Sequence, residues 1–142
     1  MLVMTSALTF AAIFTGAAFY INFAEQPARL LLKPSELVTE WVPSYKRGLI
    51  MQSSLAILVG ILGGVAYYQS SNLLWLIGAI IMVLNWPFTL IVMLPTNKKI
   101  AGTQPSDADI SIINVVRSWG YLHSVRTGLG AAATVLFIWA LQ

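Results

Sequence analysis

The sequence predicts an all-α fold: an antiparallel, integral membrane four-helix bundle with a longer first connection and an extended fourth helix. Composition is the first of three observations behind this. Hydrophobic residues make up 58% of the chain and charged residues 9%, against roughly 25% charged in an ordinary soluble domain. A soluble surface cannot be covered with so little charge. The second is spacing: four apolar segments stand near Leu2–Phe23, Gly48–Tyr68, Leu73–Leu94 and Gly120–Leu141, each close to the ~20 residues that cross a bilayer core. The third is that none of these segments contains an acid, and the connections hold most of the charge.

The 142 residues suffice for one domain, with helices expected at about 2–24, 44–69, 72–95 and 107–141. The first apolar run lacks a basic leader and exceeds the ~7–15 residues of a signal-peptide core, so it reads as a retained helix. Residues 25–47 form a mixed connection, in which Glu36 to Val42, after Pro34 and Ser35, can supply two amphipathic turns. Gln69 to Asn72 is a tight polar turn that makes its flanking helices antiparallel neighbours. After Pro95 to Pro105, Ser106 precedes Asp109 by three residues, the pattern of a cap that opens a helix. A helix from Asp107 to Leu141 is roughly 50 Å long, so its first turns project beyond a ~30 Å hydrocarbon core.

Arg29, Lys33, Lys46 and Arg47 lie in the first connection, Lys98, Lys99 and Arg117 in or just after the third, and Arg126 near the same end of helix 4. The positive-inside tendency places both connections on the cytoplasmic side and both termini opposite. Membrane lipid is thus the expected partner. The +3 charge does not point to nucleic acid, because the basic residues follow membrane topology rather than a soluble face with interleaved aromatics. Gly60-x-x-x-Gly64 and the small residues from Gly128 to Ala133 fit packing inside the bundle, with assembly into a homo-oligomer as the second reading.

With no cysteine and one histidine, the chain cannot supply a disulfide framework, a thiolate nucleophile, a zinc site of the cysteine type or a bis-histidine haem. No metal site and no resident cofactor are expected. Axial ligation of a borrowed haem by His123, or another borrowed cofactor, stays open. Catalysis by the chain itself would be acid–base and electrostatic.

Polar residues converge on one membrane face. Asn22, Glu25 and Arg29 share a helix face if helix 1 runs past Pro27; Trp119, His123 and Arg126 form a similar row on helix 4; Asn85 and Thr89 flank Pro87 on helix 3. A charge inside the hydrocarbon edge is costly unless paired or reaching water, so Arg126 is expected to have a partner, and Glu25 is the best-placed acid. Plainer readings stand beside these. Arg126 can snorkel to the headgroups, His123 can bond a backbone carbonyl, and Asn85 can repair the proline kink. Trp41, Tyr45, Trp75 and Trp119 fit an interfacial aromatic belt better than a cofactor box.

Three motifs carry a resemblance: Asn22-Phe23-Ala24-Glu25-Gln26-Pro27-Ala28-Arg29; Trp86-Pro87-Phe88-Thr89 with Pro95-Thr96-Asn97; and Trp119-x-x-x-His123-x-x-Arg126-Thr127. In order and spacing they resemble the anthrone oxygenase-like membrane family over nearly the whole chain. Some members of that family oxidise an anthrone to an anthraquinone with molecular oxygen, so the resemblance implies an oxidoreductase acting on a small apolar aromatic ligand. An anthrone has an acidic methylene whose enolate can pass an electron to oxygen, which calls for a base, an oxyanion stabiliser and an apolar cavity. On that reading His123 or Glu25 is the base, Arg126 with Asn22, Asn85 and Asn97 stabilises the oxyanion, and Thr89 and Trp119 complete the substrate site. Two other readings remain: a non-enzymatic membrane scaffold or accessory protein, and a small-molecule carrier. The carrier lacks a polar path to the far membrane face.

Overall fold

The computed structural model describes residues 1–142, and four helices and no strand account for 90% of them. Helix α1 spans Leu2–Arg29, α2 Pro34–Ser70, α3 Leu73–Gly102 and α4 Ile110–Ala140. Each packs on its neighbours in sequence, and α4 closes the ring against α1. The Asn72 amide reaches the Ala140 carbonyl at 3.4 Å, so the tight turn lies beside the C-terminal end of α4.

Helices α1, α2 and α3 overrun the spans expected from the sequence, chiefly at prolines, whereas α4 falls short of its expected start at 107. Pro27 lacks an N–H and its ring crowds the preceding turn, yet α1 continues through Ile21–Glu25 as one widened π turn and then to Arg29. A π turn inserts one extra residue into the helix and so accommodates such a disruption. A second widened stretch, Phe88–Met93, follows Pro87 in α3, which then runs on through Pro95 to Gly102. The expected start of helix 2 at 44 moves back to Pro34, with the Lys33 amide donating to Glu36 Oε2 at 3.3 Å. Pro43 does not break α2, because Leu37, Val38 and Trp41 before it are buried in the core. The two amphipathic turns read at 36–42 are therefore the first turns of α2. At α4 the expected Ser106 cap is replaced by Asp109, whose carboxylate accepts the Ser111 N–H at 2.9 Å; Pro105–Asp107 forms a separate 3₁₀ turn.

Two apolar cores result. One, towards the end that holds the termini and the tight turn, contains Ala7, Phe14, Val59, Trp75, Met82 and Phe137. The other, towards the opposite end, contains Leu37, Trp41, Met93, Ile100, Val116 and Trp119. Trp41, Trp75 and Trp119 are thus interior side chains, which corrects the aromatic-belt reading; Trp139 is the tryptophan most turned outward, at 58% exposed. Small residues let the helices approach closely: a Cβ at Gly130 would lie 2.8 Å from the Phe14 ring, and one at Gly63 2.8 Å from Ala79 Cβ. In the Gly60-x-x-x-Gly64 pair only Gly60 packs inside the bundle, against Val83, whereas Gly64 faces open space.

The outer surface is strongly apolar, with Phe19, Ile50, Ile61, Ile80 and Ile91 each about half exposed or more, an arrangement that needs lipid rather than water around it. By length and composition α1, α2 and α3 are able to cross a membrane. The fourth expected span does not qualify on composition, because α4 carries His123 and Arg126 among its apolar residues; both point into the bundle.

Candidate functional site

Between the two cores every helix contributes a polar side chain. Asn22 comes from α1, Gln52 from α2, Asn85 and Thr89 from α3, and His123 and Arg126 from α4. Gln52, Asn85, Thr89, His123 and Arg126 are all at most 8% exposed. Measured along the helices at ~1.5 Å per residue, Gln52 is about 27 Å from Ser70 and Arg126 about 21 Å from Ala140. A ~30 Å hydrocarbon core that begins at those helix ends puts the layer towards its far edge.

Asn22, on the widened turn of α1, organises the α4 side. Its amide nitrogen donates to the Gly120 carbonyl at 2.9 Å, which fixes Oδ1 as the acceptor. Oδ1 accepts the Thr127 hydroxyl at 2.7 Å and meets His123 Nδ1 at 2.8 Å. The amide oxygen cannot donate, so the imidazole carries its proton on Nδ1 and presents Nε2, which has no protein partner, as its basic atom. This replaces the backbone-carbonyl reading of His123. The close approach of α1 to α4 depends on Gly120, where a Cβ would lie 2.7 Å from Gln26 Nε2, itself donating to the Val116 carbonyl at 2.7 Å.

The expected Glu25–Arg126 ion pair is not formed. Glu25 bonds Arg29 and the Ser44 hydroxyl, because Arg29 lies one helical turn from Glu25 on the same face of α1. Arg29 is also held by Glu40, with Nε and Oε2 at 3.0 Å, and by Ser44 Oγ at 3.1 Å. Its guanidinium lies over the Trp119 ring. Arg126 makes no ion pair and its Nε has no hydrogen-bond partner, although the residue is only 5% exposed. The snorkelling reading fails for the same reason: the side chain is enclosed, with its guanidinium 6.0 Å from the Phe14 ring.

Two cavities meet at Arg126. The larger, about 170 Å³, lies between α2 and α3 and is lined by Leu49, Gln52, Asn85, Trp86, Thr89 and Arg126 among others. The smaller, about 20 Å³, is lined by Glu25, Arg29, Tyr45, Trp119, His123 and Arg126 among others, and has room for about one water. Leu49, Gln52 and Arg126 line both and form the wall between them. The predicted residues thus divide. Glu25, Trp119 and His123 face the small cavity, Asn85 and Thr89 the large one, and Arg126 both. Asn22 and Asn97 line neither: Asn97 Oδ1 accepts the Trp119 indole N–H at 2.8 Å and so positions that ring.

Gln52 was missed by sequence reading. It is 1% exposed, its amide nitrogen has no partner, and it lines both cavities. The available signal was its isolation: it is the one amide in the apolar span Gly48–Tyr68. Ser44 and Glu40 likewise carry no sequence signal, and Thr127 stands only as the end of a motif, because their roles depend on which helices become neighbours. No group of three or more His, Cys, Asp or Glu side chains is placed to hold a metal ion.

Compared with models of known protein families, residues 41–136 match the family described as anthrone oxygenase. The match includes the motifs around Trp86–Asn97 and Trp119–Thr127, whereas Asn22–Arg29 precedes it. Comparisons with curated proteins and with solved structures give no match. With two of the three motifs inside a match that covers more than half of its length, the chain belongs to the anthrone oxygenase family.

Proposed function

We propose that the protein is a membrane-embedded oxygenase that oxidises the activated methylene of an apolar aromatic ketone, with His123 as base and Arg126 as stabiliser of the enolate oxygen. The observation that carries this reading is Arg126: a buried guanidinium with no carboxylate and an unpartnered Nε, at the wall of a cavity. A buried cation is costly unless something pairs with it, and an anion that develops only during reaction is stabilised most by a cation already in place. His123, on the smaller cavity, takes a methylene proton through the one water that cavity has room for, and the charge moves to the ketone oxygen beside Arg126 at the larger cavity. The enolate carbon reduces molecular oxygen and combines with it to give a peroxide anion, which takes back the proton held by His123 to become a hydroperoxide; this breaks its O–O bond and loses the remaining methylene hydrogen with the outer oxygen as water, leaving a new carbonyl. One oxygen atom ends in the ketone and the other in water.

Glu25 serves in this reading as the anchor of Arg29 rather than as a second base, because Arg29 and Ser44 already occupy it. Three spanning helices and the gathering of every Lys, Arg, Asp and Glu at residues 25–47 and 98–126 support a membrane setting with that charged end on the cytoplasmic side.

The test is oxygen uptake by detergent-purified protein given a simple anthrone, with spontaneous oxidation subtracted. Removing a base or an oxyanion donor from a working site lowers the rate by about 10²-fold or more, so folded His123→Ala and Arg126→Ala proteins should each fall that far. Uptake no greater than background, or unchanged in both variants, would overturn the reading.

A further inference from the structure

The cavity between α2 and α3 contains more unsatisfied polar groups than Arg126 alone. Gln52 Nε2 and Arg126 Nε are buried donors without acceptors, and Asn85 Oδ1 is a buried acceptor without a donor; all three residues line this cavity. The Asn85 amide cannot be turned round to relieve this, because its nitrogen donates to the Met82 carbonyl at 2.9 Å. Buried polar groups in folded proteins are nearly always paired, and an unpaired one asks what completes it. The Gln52 side chain makes no hydrogen bond within the fold, although one glutamine in an apolar span is expensive to bury.

Size and shape limit the occupant. A cavity of about 150 Å³ lined by apolar side chains takes up one benzene, and this one is about 170 Å³. It therefore encloses one ring. The rest of a larger molecule must leave through the side, where the lining residues Trp86 and Leu90 are 37% and 54% exposed on the outer surface of α3. That surface faces the bilayer if α2 and α3 span it.

We propose that this cavity binds one aromatic ring carrying two adjacent oxygens, with Gln52 and Arg126 donating to one oxygen and Asn85 accepting from the hydroxyl at the other. Any apolar tail or further ring lies between Trp86 and Leu90. The inference shares Arg126 with the proposed oxidation but concerns binding, so it is tested without turnover.

The probes are catechol, toluene and 4-hexylcatechol, titrated anaerobically into the full chain in detergent and followed by calorimetry. Catechol should bind at least tenfold more tightly than toluene. Gln52→Met keeps the side-chain volume and removes no hydrogen bond of the fold; it should weaken catechol about tenfold and change toluene less than twofold. Asn85→Asp, which keeps an acceptor at that position, should retain catechol binding better than Asn85→Leu. 4-Hexylcatechol should bind at least as well as catechol, because its tail leaves by the side. Equal affinity for catechol and toluene, or catechol affinity unchanged in Gln52→Met, would overturn the site. Tenfold weaker binding of 4-hexylcatechol would overturn the lateral opening. Catechol binding that depends on Gln52, in a protein that consumes no oxygen with an anthrone, would uphold the site while removing the oxidation.

Discussion

Asn22 on α1 and His123 on α4 meet at 2.8 Å, and this contact decides which imidazole nitrogen is free. One amide serves Gly120, His123 and Thr127 together, so it ties the first helix to the fourth and orients the candidate base in the same act. Replacing it with leucine strands three polar groups in a largely dry layer. At about 1–3 kcal/mol for a buried group left unsatisfied, Asn22→Leu should lower stability by at least about 2 kcal/mol, read as a fall in Tm in detergent. An unchanged Tm would mean that the three groups find other partners.

The glycines of α4 should behave oppositely within one turn. Gly128 has open space around a prospective Cβ, whereas Gly130 meets Phe14 at 2.8 Å and Thr15 Oγ1 at 2.9 Å. Gly128→Ala should stabilise by about 0.5–1 kcal/mol through helix propensity. Gly130→Ala should destabilise by about 1–3 kcal/mol through overpacking. Denaturation of the two single variants side by side checks the sign; stabilisation by both would show that α1 and α4 pack more loosely than described.

The bundle was legible in the sequence because membrane helices announce themselves by apolar length, and the site's inventory was legible because polar residues are rare in such spans. What failed was partner choice. Glu25 and Arg126 were paired on depth alone, yet Arg29 one turn from Glu25 wins by local geometry. The tryptophans were placed at the bilayer edge on composition, although Trp41 and Trp119 close the second core and pack edge to face. Helix ends were misjudged at Pro27, Pro43 and Pro95, where tertiary packing outweighs one lost hydrogen bond each. Gln52 was passed over because a single amide in a span carries no motif.

If Glu25 belongs to Arg29, exchanging it with Arg126 cannot restore a pair. The double variant Glu25→Arg/Arg126→Glu should unfold at or below the Tm of the worse single variant. Rescue above both single variants would restore the direct pair.

The Asp109 cap should make the start of α4 sensitive to acid. Hydrogen bonds from the Ser111 hydroxyl and then the Ser111 N–H hold its carboxyl below the ordinary carboxylate range. A depressed folded-state value means that the cap's contribution is complete above the unfolded-state value near ~3.9. It is lost as pH falls through the lower, folded-state value. Amide exchange at Ser111 and Ile112 should therefore speed up in acid relative to the rest of α4, and Asp109→Ala should show the same fraying at neutral pH. Exchange that does not respond to Asp109→Ala would mean that the first turn is held by Ile112 in the core instead.

Arg126 should cost the fold stability. Methionine in its place keeps much of the side-chain length and removes a buried charge that has neither counterion nor a partner for Nε. Exchanging buried ionic groups for apolar ones of similar volume is often neutral or stabilising by about 1–4 kcal/mol. Arg126→Met should accordingly unfold at the same temperature as the unaltered protein or higher, while losing about 10²-fold or more of oxygen uptake. Arg126→Lys keeps the charge but not the planar fork of donors, and should retain part of the uptake with no gain in stability. A residue kept only for packing would give the reverse for methionine, a loss of Tm with activity falling in proportion to the folded fraction. Measuring Tm and uptake on the same samples therefore separates a cation held for chemistry from one held for structure.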